Sequence, residues 1–254
     1  MTPSPLPTIP VLELPYLNAS MAALKPHLHA ALCQGERPLK IFTPNATIAA
    51  AAHGDASLHT LLQAADWLLP DGRGVLIASR LAKTPISHRL AGIEVGEMLL
   101  SLCASTGSPV YFFGGAPGVA REAAQACRER LPTLRIAGTH HGYLKEGEEE
   151  AVVRSIRDSG ARAVLVCLGF PMQERWIDRH AASLPGVRIL IGLGSSFDVW
   201  SGRVRRAPRP FRALGLEWLW RSIQKPSRLR TLFPAIPYFL AAKRCAKAQK
   251  AVKI

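Results

Sequence analysis

Short apolar runs alternate with amphipathic stretches along most of this chain. Leu39–Thr43, Trp67–Leu69, Pro109–Phe113, Leu134–Ala137, Ala163–Leu168 and Val187–Ile191 each read as a buried strand. Helical spacing fills the intervals: Met21–Leu32, Ala46–Ala65 with a break near Gly54, Gly72–Leu81, Gly92–Ala104, Val119–Arg130, Glu146–Ser159 and Gln173–Ala182. Residues 1–18 are proline-rich with alternating apolar positions, an arm followed by an edge strand. Strands that alternate with helices of this length predict an open α/β sheet, mostly parallel and Rossmann-like, with helices on both faces.

The pattern changes near Ser201. Phe211–Ile223 reads as an amphipathic helix, and Leu232–Leu240 is apolar but interrupted by Pro234 and Pro237. Charge changes at the same place. Residues 201–254 hold 14 Lys and Arg against one acid, Glu217, a net of +13, whereas the first 200 residues hold 18 basic and 17 acidic side chains. We therefore expect a catalytic α/β domain over 1–200 and a basic helical appendage over 201–254. A cationic segment of this kind suits an anionic partner, either nucleic acid or an acidic membrane surface. Tryptophan and arginine beside a short apolar segment favour the membrane interface, and Trp218, Arg221, Arg228 and Arg230 are the residues expected there. The body lacks aromatics interleaved with basic residues, so no nucleic-acid partner is expected.

The five scattered cysteines form no C-x-x-C pair and fit a reduced cytoplasmic protein. No signal peptide and no uninterrupted spanning segment is read from the sequence. No metal-ligand spacing occurs either. His140 and His141 are adjacent and are expected to diverge on a strand, and His53 and His59 lack partners. Neither a metal nor another cofactor is therefore expected. A Gly-x-Ser-x-Gly elbow is also lacking, which argues against an α/β-hydrolase.

The candidate chemistry lies at the strand ends. Thr43-Pro44-Asn45, Pro70-Asp71-Gly72, Phe113-Gly114-Gly115, Gly169-Phe170-Pro171 and Gly192-Leu193-Gly194 each follow a predicted strand. In a parallel sheet such turns share one edge, where open α/β folds bind ligands. Glycines there admit close backbone approach, and helix N-termini offer N–H groups to phosphate. Together they favour a nucleotide or sugar-nucleotide ligand. Asp71 is the general-base candidate, Arg89 could neutralise a diphosphate, and Asn45 and Gln173 could bond sugar hydroxyls. Two other readings stay open at this stage: a nucleic-acid-binding module that uses the basic tail, and a nucleotide-binding regulator without catalysis.

The ordered motifs resemble a known family. They are Thr43-Pro44-Asn45, Ala65-Asp66-Trp67-Leu68-Leu69-Pro70-Asp71-Gly72-Arg73-Gly74, Arg89-Leu90-Ala91-Gly92 and Phe112-Phe113-Gly114-Gly115. Further along come Gly138-Thr139-His140-His141-Gly142-Tyr143, Leu168-Gly169-Phe170-Pro171-Met172-Gln173-Glu174, Gly192-Leu193-Gly194-Ser195-Ser196-Phe197-Asp198, Arg206-Ala207-Pro208 and Leu216-Glu217-Trp218-Leu219. On these residues the chain resembles the WecG/TagA/CpsF glycosyltransferases, a bacterial family that also contains the glucosyltransferase of xanthan assembly.

The resemblance implies inverting, metal-independent transfer of a sugar from a UDP-sugar, of the UDP-glucose or UDP-N-acetylmannosamine type, to a polyprenyl-diphosphate-linked sugar. The new bond would be β-1,4, within bacterial exopolysaccharide, teichoic acid or surface-antigen synthesis. The family's base falls on Asp71, and its active-site threonine, arginine and glutamine fall on Thr43, Arg89 and Gln173. Asn45, Gly72, Gly114, Gly115, Gly169, Pro171, Gly192, Gly194 and Asp198 would line the substrates. The appendage would dock peripherally on the cytoplasmic face of the plasma membrane, and assembly into a homo-oligomer is compatible with this arrangement.

Overall fold

A computed structural model describes residues 4–208, 211, 220 and 235–251. Its centre is an eight-stranded sheet in the order β1-β2-β4-β3-β8-β7-β5-β6. The strands are β1 (Thr8–Val11), β2 (Leu14–Leu17), β3 (Leu39–Phe42), β4 (Trp67–Leu68), β5 (Val110–Gly114), β6 (Ile136–His140), β7 (Ala163–Cys167) and β8 (Ile189–Gly192). Only β1 with β2 is antiparallel. This hairpin joins the sheet edge through β2, which runs parallel to β4. All other pairings are parallel. The expected doubly covered, mostly parallel sheet is what forms.

The central strands read as unbroken apolar runs because both of their faces are buried. Alternation divides their side chains between two cores. Tyr111, Phe113, Val164, Val166 and Leu190 point to one face, and Val110, Phe112, Ala163, Leu165, Ile189 and Ile191 to the other. The first face is covered by α2 (Ala46–His53), α3 (Ala56–Gln63), α4 (Arg73–Leu81), α7 (Glu149–Asp158) and α8 (Met172–His180). The second is covered by α1 (Met21–Gln34), α5 (Gly92–Thr106), α6 (Val119–Arg130) and α9 (Ser196–Trp200).

Three expectations change. The strand expected at Leu134–Ala137 runs instead over Ile136–His140. It is the sheet edge and every one of its residues is only half-buried, so its hydrophobic signal is weak. Gly138 also leaves room for the Tyr111 ring, 2.5 Å from where a Cβ would stand. Because β6 ends at His140, His141 already belongs to the following turn. The two imidazoles do not diverge, and their ring centres lie 4.7 Å apart. The proline-interrupted segment near 232–240 contains the start of a helix, α10 (Ala235–Ala251). Pro237 lies in its first turn, where no intrahelical N–H bond is required. Ala235, Tyr238 and Ala242 of α10 enter the same core as α2 and α4. The helix expected over Phe211–Ile223 falls largely on residues outside those described.

Candidate active site

In a parallel sheet every strand releases its chain at the same edge. The turns after β4, β3, β8, β7 and β5 therefore line up there in that order. With neighbouring strands about 4.8 Å apart, the four steps from β4 to β5 span about 19 Å. The predicted residues thus fall into two neighbouring groups rather than one knot.

The first group is built around β4, β3 and β8. Leu68 ends β4, Pro70 follows, and Asp71 is half-buried immediately before α4. Gly72 caps α4 with φ +83, a conformation that a residue with a Cβ rarely adopts, so the chain turns sharply just past the carboxylate. Leu90 N–H donates to the Pro70 carbonyl at 3.2 Å, which lays the Arg89 loop alongside the Asp71 turn. The Arg89 guanidinium donates to both Glu94 oxygens, at 3.2 and 3.3 Å. Next along the edge, the buried Thr43 hydroxyl donates to the Gly192 carbonyl at 2.8 Å. Gly92, at the start of α5, packs against Thr43 so closely that a Cβ would stand 3.1 Å from three of its side-chain atoms.

Gln173 completes this group. It is 2% exposed, in the first turn of α8. Its Oε1 accepts the Gly194 N–H at 2.9 Å, and its amide fills the space a Gly192 Cβ would need. Thr43, Gln173, Gly192 and Gly194 therefore touch one another across the ends of β3 and β8, and the turn that carries Asp71 lies beside them at the end of β4, with the Arg89 loop bonded to it through Leu90. Asn45 stands at the rim of this group. It is exposed, and its Oδ1 accepts the N–H groups of Thr47 and Ile48 as the N-cap of α2. Its acceptor thus serves the helix, which leaves the Nδ2 protons as the group able to face a sugar.

The second group lies at β7 and β5. Gly114 has φ +128, and a Cβ there would collide with the Cys167 carbonyl. Gly115 N–H donates to that same carbonyl at 2.8 Å, and Gly142 N–H to Gly115 O at 2.8 Å, so three turns are stitched together. Gly169 and Pro171 form the turn between β7 and α8. Asp198 lies in α9, whose side of the sheet carries α6. Beyond α9, Arg203 makes a bidentate pair with Glu122 of α6 at 2.7 Å, and Arg206 reaches Glu94 at 3.0 Å. The Glu122 carboxyl is held below its ordinary range, chiefly by the Arg203 hydrogen bonds.

Three acidic participants were not singled out from the sequence: Glu94, which bridges Arg89 and Arg206, Glu122, which pairs with Arg203, and Glu174. Glu174 is 1% exposed, and burial pushes its carboxyl up to about 7 against the opposing N–H groups of Gln173 and its own backbone. A glutamate in a first helical turn is ordinary in sequence, and nothing in the pattern marks it as buried. Trp218, Arg221, Arg228 and Arg230 lie outside the described residues.

Among the described residues no group of three His, Cys, Asp or Glu is placed to hold a metal ion, and no helix is long and apolar enough to cross a membrane. A cavity of about 640 Å³ opens between the β1–β2 turn, the α2–α3 junction and Cys245 of α10. It sits at the far ends of α2 and α4, and no strand-end residue described above lines it.

Residues 9–251 match the sequence model of the "Glycosyl transferase WecG/TagA/CpsF family". Among similar proteins is the "N-acetylglucosaminyldiphosphoundecaprenol N-acetyl-beta-D-mannosaminyltransferase" of Bacillus spizizenii, 33% identical over 92% of this chain and 90% of the relative. The protein of the same description from Bacillus subtilis is 31% identical over 94% of this chain and 92% of its own length. One from Staphylococcus aureus is 33% identical over 87% and 84%.

Proposed function

Because the chain belongs to the WecG/TagA/CpsF glycosyltransferase family, we propose that it moves an N-acetylmannosaminyl-type sugar from UDP onto N-acetylglucosamine carried on a polyprenyl diphosphate, with inversion at the anomeric carbon. The names of its relatives favour this donor and acceptor over UDP-glucose. The observation that supports the reading is that the turns bearing Asp71, Thr43 and Arg89 leave the sheet side by side at the ends of β4 and β3, next to the β8 turn that Thr43 and Gln173 bond.

In this reading Asp71 takes the proton of the acceptor hydroxyl as its oxygen attacks the anomeric carbon. The bond from that carbon to the UDP oxygen breaks, and UDP leaves with the electron pair. The diphosphate charge is met by Arg89 and by the N-terminus of α6, which the Gly114–Gly115 turn leads into. Thr43 and Gln173 hold the β8 turn against the sugar, Asn45 Nδ2 lies at the rim, and Gly72, Gly169, Pro171, Gly192, Gly194 and Asp198 shape the walls. The test is turnover of the purified full chain with UDP-N-acetylmannosamine, UDP-glucose and the uronate donor on a lipid-diphosphate N-acetylglucosamine acceptor. Transfer from the first is expected. No transfer from any of the three would remove the reading.

The appendage is proposed to bring this edge to an anionic bilayer on the cytoplasmic side. The described residues supply support for it. The solvent stripe of α4 is Arg73, Ile77 and Arg80, that of α10 is Ile236, Leu240, Lys243 and Arg244, the two helices pack side by side, and neither carries an acid. Apolar and cationic side chains on one surface suit the headgroup region. The protein is expected to co-sediment with vesicles rich in acidic phospholipid, less at high salt, and Ile236→Asp with Leu240→Asp is expected to reduce binding at least severalfold. Salt-independent binding, or binding unchanged in the double variant, would contradict this surface.

A further inference from the structure

Glu174 is a carboxyl group in an unusual place. It is 1% exposed, yet among the described residues it makes no ion pair and hydrogen-bonds to one side chain. Its Oε1 accepts from Gln173 Nε2 at 2.8 Å, and its Oε2 has no hydrogen-bond partner among those residues. A carboxyl in such a place destabilises the fold more than an apolar residue would, so a role beyond packing is indicated.

The Gln173 amide has two ends with opposite hydrogen-bonding character. One end receives the Gly194 N–H, which only an oxygen can accept. The other faces Glu174, which as a carboxylate can accept but not donate. We propose that Glu174 is the positioning residue of this site: its carboxylate holds the Gln173 amide in the single orientation that keeps Oε1 on the Gly194 N–H and the β8 turn in its ligand-ready shape. The inference rests on the reading of Gln173 as the residue that holds the β8 turn against the sugar.

The surroundings of Glu174 make its charge state the variable. β7 and β8 carry no charged side chain, only the Cys167 thiol, which burial pushes far above its ordinary range. β3 carries Lys40, paired at 2.8 Å with Asp178 of α8. α3 carries His59, whose ring is 3.4 Å from the Leu12 carbonyl. On α8 itself Arg179 and His180 pair with Glu149, and Arg175 is exposed. The influences on the Glu174 proton are burial first, then the Gln173 and backbone N–H groups that favour the ionised form. Above neutral pH the carboxylate grips Gln173. Below it, the neutral acid accepts more weakly, and its own O–H competes as a donor.

The experiment uses the full chain, wild type and Glu174→Gln, and reads two quantities. The first is the Gln173 side-chain amide resonance of ligand-free enzyme followed against pH. We expect it to titrate with a midpoint near 7 in the wild type and to stay flat in Glu174→Gln. The second is kcat/KM for sugar transfer against pH. It is expected to rise through the same midpoint in the wild type, and to be about tenfold lower and without that rise in Glu174→Gln at pH 8. An amide resonance that ignores pH in the wild type overturns the proposal whatever turnover shows. A titrating resonance with unchanged kcat/KM in the variant confines Glu174 to structure and overturns it too. Failure of the wild type to transfer any sugar counts against the proposed function, while the resonance still decides the grip on Gln173.

Discussion

Asp71→Asn is expected to lower kcat by about 10²–10⁴-fold while KM for donor and acceptor changes little. Asparagine keeps the size of the side chain and its hydrogen-bonding reach. It sits before the same positive-φ Gly72, so α4 still starts where it does. What it lacks is the capacity to take the acceptor proton. The loss should therefore appear in the chemical step rather than in binding. Multiple-turnover kinetics together with a UDP-binding titration separate the two. A variant that binds UDP as before and transfers at the wild-type rate would remove Asp71 from the base role. One that binds poorly would show that the carboxylate supports the site rather than acts in it.

The second large effect concerns stability. Burial raises the Glu174 carboxyl from an ordinary 4.5 to about 7. Between those values the folded protein holds a proton that the unfolded chain has lost, so this group makes stability fall as pH rises through the window. Above about pH 7.5 the full penalty is in place, roughly 3 kcal/mol at about 1.4 kcal/mol per unit. Glu174→Gln removes the ionisation and retains an acceptor for Gln173. The variant should melt about 7 °C above the wild type at pH 8, and the difference should close as pH falls to 4.5. Differential scanning at the two pH values checks this. An equal gap at both would mean that the gain is packing, not proton linkage. A substitution that stabilises the fold while slowing transfer is the pattern expected where function is retained at a cost in stability.

Much of this molecule was legible from its residues, for reasons that differ by element. β5 and α6 matched because each signal was unambiguous. β5 is buried throughout, and α6 starts just after Gly118, whose φ of +89 breaks the chain before it. That the turns bearing Asp71, Thr43 and Gly192 leave the sheet at one edge followed from topology alone, since parallel strands all release the chain on the same side. The edge strand β6 slipped because half-buried residues carry little periodicity. α10 was obscured because its prolines read as breakers, although Pro237 occupies a first turn. That α10 packs into the core beside α2 and α4 depended on contacts between distant segments, such as His53 against Tyr238 at 6.3 Å between ring centres. Glu174 was invisible for the same reason. Its character comes from burial, which one helix turn does not encode.

The central claim is that a single carboxylate at the end of β4 promotes direct displacement at an anomeric carbon. The anomeric configuration of the product tests it most directly. With a UDP-sugar whose anomeric bond is α, the purified enzyme should give a disaccharide lipid that is β-linked, read from the one-bond and vicinal couplings at the new linkage. An α-linked product would require two displacements or a different face of attack, and would contradict the account.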